Sequence, residues 1–119
     1  MNESEKQLYI RALEYGMDYR RSVGDMPVYP GDDALDGLAD FDEDLPDKPV
    51  ADDVVLEMLA ERGSPATVAQ TGGRYFGFVC GGALPAGLAA KTLGTFWDQN
   101  SALQVLSPVS SRLESVTEK

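Results

Sequence analysis

Proline and glycine punctuate this chain, and their positions limit what it can fold into. Seven prolines and twelve glycines fall among its 119 residues. Proline has no amide N–H and its ring crowds the preceding turn, so a helix tolerates it only in the first turn. Ahead of the first proline, the spacing predicts a helix from Ser4 to about Arg21. Leu8, Tyr9, Ala12, Leu13 and Gly16 recur on one face, while Lys6, Arg11, Glu14, Asp18 and Arg21 fall mainly elsewhere. Ser4 is placed to cap this helix, and Glu5 suits its first turn. "GDMPVYPGDD" then breaks the pattern.

From Asp32 to Asp53, ten Asp or Glu residues stand against Lys48 alone. Within that run, Leu35, Leu38, Ala39 and Phe41 predict one short helix laid on a surface. "LPDKPVA" cannot be helical before its second proline and is predicted extended. Asp52 or Asp53 can cap a further helix that turns Val54, Val55, Met58 and Leu59 inward and ends at Gly63. "SPATVAQTGG" reads as a loop and "RYFGFV" as a short extended piece. The next helix begins near Leu84 or Pro85 and runs through "AGLAAKTLGTFWDQ". Its Ala and Gly content would let another backbone approach closely. "ALQVL" reads as extended, and Ser107-Pro108 as the cap and first residue of a last helix with Val109 and Leu113 as its apolar contacts. The expected fold class is mainly α, with short extended pieces. Its parts are an N-terminal helix (1–24), an acidic proline-containing arm (25–53), and a segment of helices and loop (54–119). There is no internal repeat.

Composition removes several classes of chemistry. The chain has no histidine, so it cannot hold a Ser-His-Asp or Cys-His pair or a Cys/His zinc site. Its one cysteine, Cys80, excludes an internal disulfide framework. With no basic neighbour, Cys80 reads as a small buried hydrophobe rather than a reactive thiol. A net charge of −10 argues against binding nucleic acid or an anionic membrane. No apolar run approaches bilayer length, and "MNESEKQLYIRALEYG" lacks the basic-then-apolar order of a secretory signal, so a cytoplasmic location is expected.

The motifs that suggest a ligand fail on spacing. Asp40, Asp42 and Asp44 start like a calcium loop, but its sixth position is Leu45 where glycine belongs and its twelfth is Ala51 where glutamate belongs. A solvated acidic face is what remains, and no metal site is expected. Gly82 and Gly87 have phosphate-loop spacing, but Lys91 arrives three residues too late. Lys91 therefore reads as a surface residue. Tyr75, Phe76, Phe78, Phe96 and Trp97 read as core aromatics, and Gln99 and Asn100 as a helix end.

One stretch resists the bland reading. "RYFGFVCGGALPAG", residues 74–87, carries a single charge in an otherwise acidic chain. Extended to "GGRYFGFVCGGALPAGLAAKTLGTFWDQNSALQVLSPVSSRLE", it resembles the N-terminal part of the group II pyridoxal-phosphate-dependent decarboxylases, which act on aromatic amino acids, glutamate and related amino acids. The marks are Tyr75-Phe76 after a loop, the glycine-rich turn with Pro85, "WDQN", and "LSP" opening a helix with Leu113 and Glu114. Upstream, "PVYP" and "LPDKPVADDVVLEML" sit where that family has a proline-bounded arm and a helix.

The resemblance implies a part of a larger enzyme. The parent would be an α/β, fold-type I pyridoxal-phosphate enzyme, a cytoplasmic homodimer whose N-terminal arm packs across the partner subunit. By position, Phe78, Val79 and Cys80 match pocket-lining residues, and Gly81 or Gly82 falls where the backbone approaches the amino-acid substrate. Asn100, Ala102 and Leu103 match a segment that reaches the neighbouring subunit's pocket. The family's cofactor lysine, its ring-stacking histidine and its aspartate lie downstream of anything present here. None of Lys6, Lys48, Lys91 or Lys119 matches the cofactor lysine's motif, so no catalytic residue and no bound pyridoxal phosphate are expected for this chain alone. The competing class is a stand-alone acidic helical module that binds a partner through residues 74–106. Exposure of apolar surface separates the two: a fragment leaves its helix faces bare, and a module should bury them.

Overall fold

The computed structural model describes all 119 residues, and its regular structure is entirely helical, without a strand. The chain divides into two units, Met1–Gly82 and Ala83–Lys119. In the first, α1 spans Glu3–Ser22. Its cap is Asn2 rather than Ser4. Asn2 Oδ1 accepts from the Glu5 amide at 2.9 Å, and the Glu5 carboxylate accepts from the Asn2 amide at 2.7 Å. Gln7 could have answered Ser4 in the same way. The Asn2 frame wins because it brings Glu3 and Glu5 into the first turn, against the positive end of the helix dipole.

α2 is one short turn, Asp32–Asp36, prolonged by a 3₁₀ segment, Gly37–Phe41. α3 spans Asp52–Met58 and starts at Ala51, with Asp52 and Asp53 inside its first turn instead of capping it. The helix does not stop at Gly63 as a plain α-helix. It widens into a π segment over Leu59–Gly63 and tightens into a 3₁₀ turn over Ser64–Ala66. Pro65 explains the change. It has no N–H to donate back, and its ring crowds the previous turn, so Ser64 closes a wider ring on the Leu59 carbonyl.

Of the four residues expected to turn inward on α3, Met58 does so and the other three do not. Leu56, Met58 and Ala60 are half-buried, while Val54, Val55 and Leu59 stay exposed. The row Asp53, Leu56, Glu57 and Ala60 is the one turned to α1. It is held there by Arg11, which sits 3.5 Å from Glu57, and it lies beside Tyr15 and Tyr19. The Tyr19 hydroxyl donates to Thr67 Oγ1 at 2.8 Å, and Thr67 donates onward to the Ser64 carbonyl at 2.8 Å. Arg62 ties Asp40 at 2.7 Å and so fastens the acidic segment to the end of α3.

Beside Pro30, the buried apolar residues of the chain are two, Val23 and Ala69. They meet where the chain leaving α1 crosses the segment before Gly72. The Ala69 amide donates to the Val28 carbonyl at 3.0 Å. A Cβ on Gly72 would stand 3.2 Å from the carbonyl oxygens of both Val23 and Ala69. Both neighbours are backbone, so Gly72→Ala should destabilise this unit by about 1 kcal/mol or more. Gly77 offers a control. Its Cβ would fall 2.8 Å from the Tyr75 hydroxyl, which is the tip of a side chain that can swing away. Denaturant melts of the two variants should rank Gly72→Ala well below Gly77→Ala. The reverse order would mean that the crossing is not close-packed.

In the second unit, α4 spans Pro85–Trp97 and α5 spans Pro108–Thr117. Both begin as the sequence predicts, with proline as first residue. Asp98, left-handed at φ 47°, ends α4 by donating its N–H to the Gly94 carbonyl. Ser107 caps α5 and is fully buried. "ALQVL" is not extended. The amides of Leu106 and Ser107 both turn back to the Leu103 carbonyl, at 3.0 and 3.1 Å. "RYFGFV" likewise forms no strand, with a turn at Arg74, irregular backbone at Tyr75 and Phe76, and a second turn at Phe78 and Val79. With no neighbouring strand to pair with, these backbones satisfy themselves locally.

Candidate functional site

The residues matched to a pocket wall fall in one turn and its exit. The Cys80 amide donates to the Gly77 carbonyl at 3.1 Å, and the two residues between, Phe78 and Val79, have φ of 53° and 55°. Two left-handed residues inside such a turn usually mean Asn-Gly. A phenylalanine and a β-branched valine there cost about 1 kcal/mol each. The turn sends Phe76 and Phe78 outward at 94% exposure, and Val79 is fully open. Cys80 is exposed as well, not the buried hydrophobe expected. Gly81 and Gly82 follow with open space around their α-carbons. Phe78, Val79, Cys80, Gly81 and Gly82 therefore form a bare, largely apolar strip with no carboxylate or amine among them and the free Cys80 thiol as its one polar group.

Asn100, Ala102 and Leu103 belong to the second unit. Asn100 Oδ1 accepts from the Ala102 amide at 3.0 Å and so closes its own turn, while Leu103 is more than half exposed. On α4, Leu88, Leu93, Phe96 and Trp97 are each about half exposed or more. Of the five aromatics expected in a core, only Tyr75 is even half-buried. The reason is a shortage of covering surface: this chain supplies apolar faces but few faces to set against them. Between Tyr75 and Trp97 the one charged residue is Lys91, and it is exposed.

The concave surfaces lie elsewhere. An open groove of about 420 Å³ runs beside α1, lined by Tyr15, Tyr19, Met26, Ala60 and Pro65 among others. Arg11 lies near it, its Nε donating to the Tyr15 hydroxyl at 3.1 Å and its guanidinium 5.6 Å from the ring centre. That hydrogen bond, with Glu57 nearby, holds the Arg11 pKa above its ordinary value, so Arg11 stays a cation and does not serve as a general acid. No group of His, Cys, Asp and Glu is arranged to hold a metal. No helix is long and apolar enough to cross a membrane.

The lysines do not fit a pyridoxal-phosphate site. Lys6 lies 3.6 Å from Glu3 on the surface, and Lys48, Lys91 and Lys119 are exposed. No lysine lines the open grooves beside α1 and α3. Set against known proteins, the chain matches no family model, no curated protein and no solved structure.

Proposed function

We propose that this chain is the N-terminal portion of a group II pyridoxal-phosphate-dependent amino-acid decarboxylase, supplying dimer contacts and pocket walls to an α/β fold-type I body. The observation that carries the reading is the bareness of the apolar surface. Phe76, Phe78 and Val79 project into solvent, Leu88, Leu93 and Trp97 lie open along α4, and the buried apolar residues are just Val23, Pro30 and Ala69. A chain selected to stand by itself would spend such residues on its own core.

In this reading Phe78, Val79, Cys80, Gly81 and Gly82 wall the substrate pocket. Asn100, Ala102 and Leu103 reach the neighbouring subunit's pocket in a cytoplasmic homodimer. Their part is shape and exclusion of water: an apolar wall without acids or bases strengthens the electrostatics of what it encloses and takes no proton itself. Bound to the larger body, the cofactor would supply the electron sink for loss of carbon dioxide from an amino acid.

The test is to read and express the coding frame past Lys119. A frame that continues through a histidine and then a lysine should give a product that, with pyridoxal phosphate, releases carbon dioxide from an amino acid. Borohydride reduction of the 119-residue chain with pyridoxal phosphate should leave every lysine without stoichiometric label. A stop codon directly after Lys119, or a whole product that decarboxylates no amino acid, would sink the reading and leave the stand-alone interaction module.

A further inference from the structure

The single charge of the 74–87 stretch has a specific employment. Arg74 Nη2 donates to the Gly24 carbonyl at 2.8 Å and also to the Met26 carbonyl, fifty and forty-eight residues back along the chain. Both carbonyls lie just past the end of α1, beside the crossing where Val23 and Ala69 are buried. From this geometry we infer that Arg74 is the positioning residue of the 75–82 loop, setting where that loop leaves the fold.

The loop has little else to place it. Its internal bonds are local, from the Tyr75 amide to Gly72 and from the Cys80 amide to Gly77. Phe76, Phe78 and Val79 pack against almost nothing. The turn itself disfavours its own residues, with left-handed φ at Phe78 and Val79. Its position must therefore be decided at its root. The bond from Ala69 to Val28 and the close approach of Gly72 to Val23 both act before the loop begins. Arg74 is the last long-range tie on the loop's own side. A charged donor shared between two carbonyls is the strong form of such a tie. If the 78–82 strip is a pocket wall, as proposed above, Arg74 sets that wall without touching what the pocket holds. The clasp itself is independent of that reading.

Limited chymotrypsin digestion of the whole chain tests it. Cleavage after Phe78 reports on the loop, and cleavage after Tyr9 and Tyr15 in α1 reports on the rest of the unit. Arg74→Met, which keeps the stem and loses the donors, should speed cleavage after Phe78 by about tenfold and leave the α1 sites unchanged. Arg74→Lys keeps the charge, but its ammonium stops short of the Nη2 position, so cleavage after Phe78 should be nearly as fast as in Arg74→Met. Unchanged cleavage after Phe78 in Arg74→Met would overturn the inference. So would equal acceleration at the α1 tyrosines, or outright unfolding, because either makes Arg74 a general stabiliser. Full protection in Arg74→Lys would also overturn it, because charge alone, and not reach to both carbonyls, would then hold the loop. The assay uses neither substrate nor cofactor, so its outcome and that of the decarboxylase test are separate.

Discussion

Ala69→Leu is expected to abolish the cooperative melting of residues 1–82. Ala69 is 2% exposed, its amide is engaged by Val28, and the Gly72 backbone closes over it. Three added carbons have nowhere to go. Overpacking of this kind costs about 1–3 kcal/mol, and a unit whose buried apolar residues are Val23, Pro30 and Ala69 alone has little stability to lose. Circular dichroism should show helix content falling, with the tie between Arg74 and the end of α1 lost in step. A control at Val79, which is fully exposed, bounds the reading: Val79→Ala should leave the melt unchanged. Equal damage from the two variants would show that the Val23–Ala69 crossing does not organise this unit.

The second large effect concerns association. At tens of micromolar, the isolated chain should self-associate and bind a hydrophobic dye, because Leu88, Leu93 and Trp97 on α4 and Ile10, Leu13 and Met17 on α1 are exposed. Glutamates at Leu88 and Leu93 should shift the sedimentation profile towards monomer. Salt gives the sign of the driving force. Each chain carries a net charge of −10, so copies repel at low ionic strength. Raising the salt from 0.1 M to 1 M shortens the screening length from about 10 Å to about 3 Å and should strengthen association. Weakening by salt would assign the contact to ion pairs. A monomer that unfolds in one cooperative step at every salt concentration would favour the stand-alone module.

Helix starts were legible wherever one residue's covalent chemistry decides them. Pro85 and the Ser107-Pro108 pair open α4 and α5 as their sequence requires. The α1 cap moved by two residues because two capping boxes compete there, and the dipole chose between them. Burial was much less legible. Phe76, Phe78 and Cys80 look like core residues from side-chain chemistry, but burial also needs a second surface, and no local pattern says whether the chain provides one. "RYFGFV" and "ALQVL" have strand-forming residues and no strand to pair with. On α3 Met58 turns inward as its spacing predicts, but Val54, Val55 and Leu59 do not, for a related cause: the inward face is set by Arg11 and the tyrosines of α1, some forty residues away. Val23 and Ala69 carry no mark in the sequence, and Arg74 announces itself only as a lone charge.

The π segment at Leu59–Gly63 amounts to an α-helix with one residue to spare. Removing one residue there would let the turn close as an ordinary helix and would rotate everything beyond it by about 100°. Gly63 would no longer face Phe41, whose ring lies 3.9 Å from where a Cβ on Gly63 would stand, and Thr67 would leave the Tyr19 hydroxyl. The crossing at Ala69 lies just downstream and would inherit the same rotation. A single-codon deletion in this turn is thus a change of phase for the rest of the unit, and close relatives of this chain should keep the length of this turn more strictly than its letters.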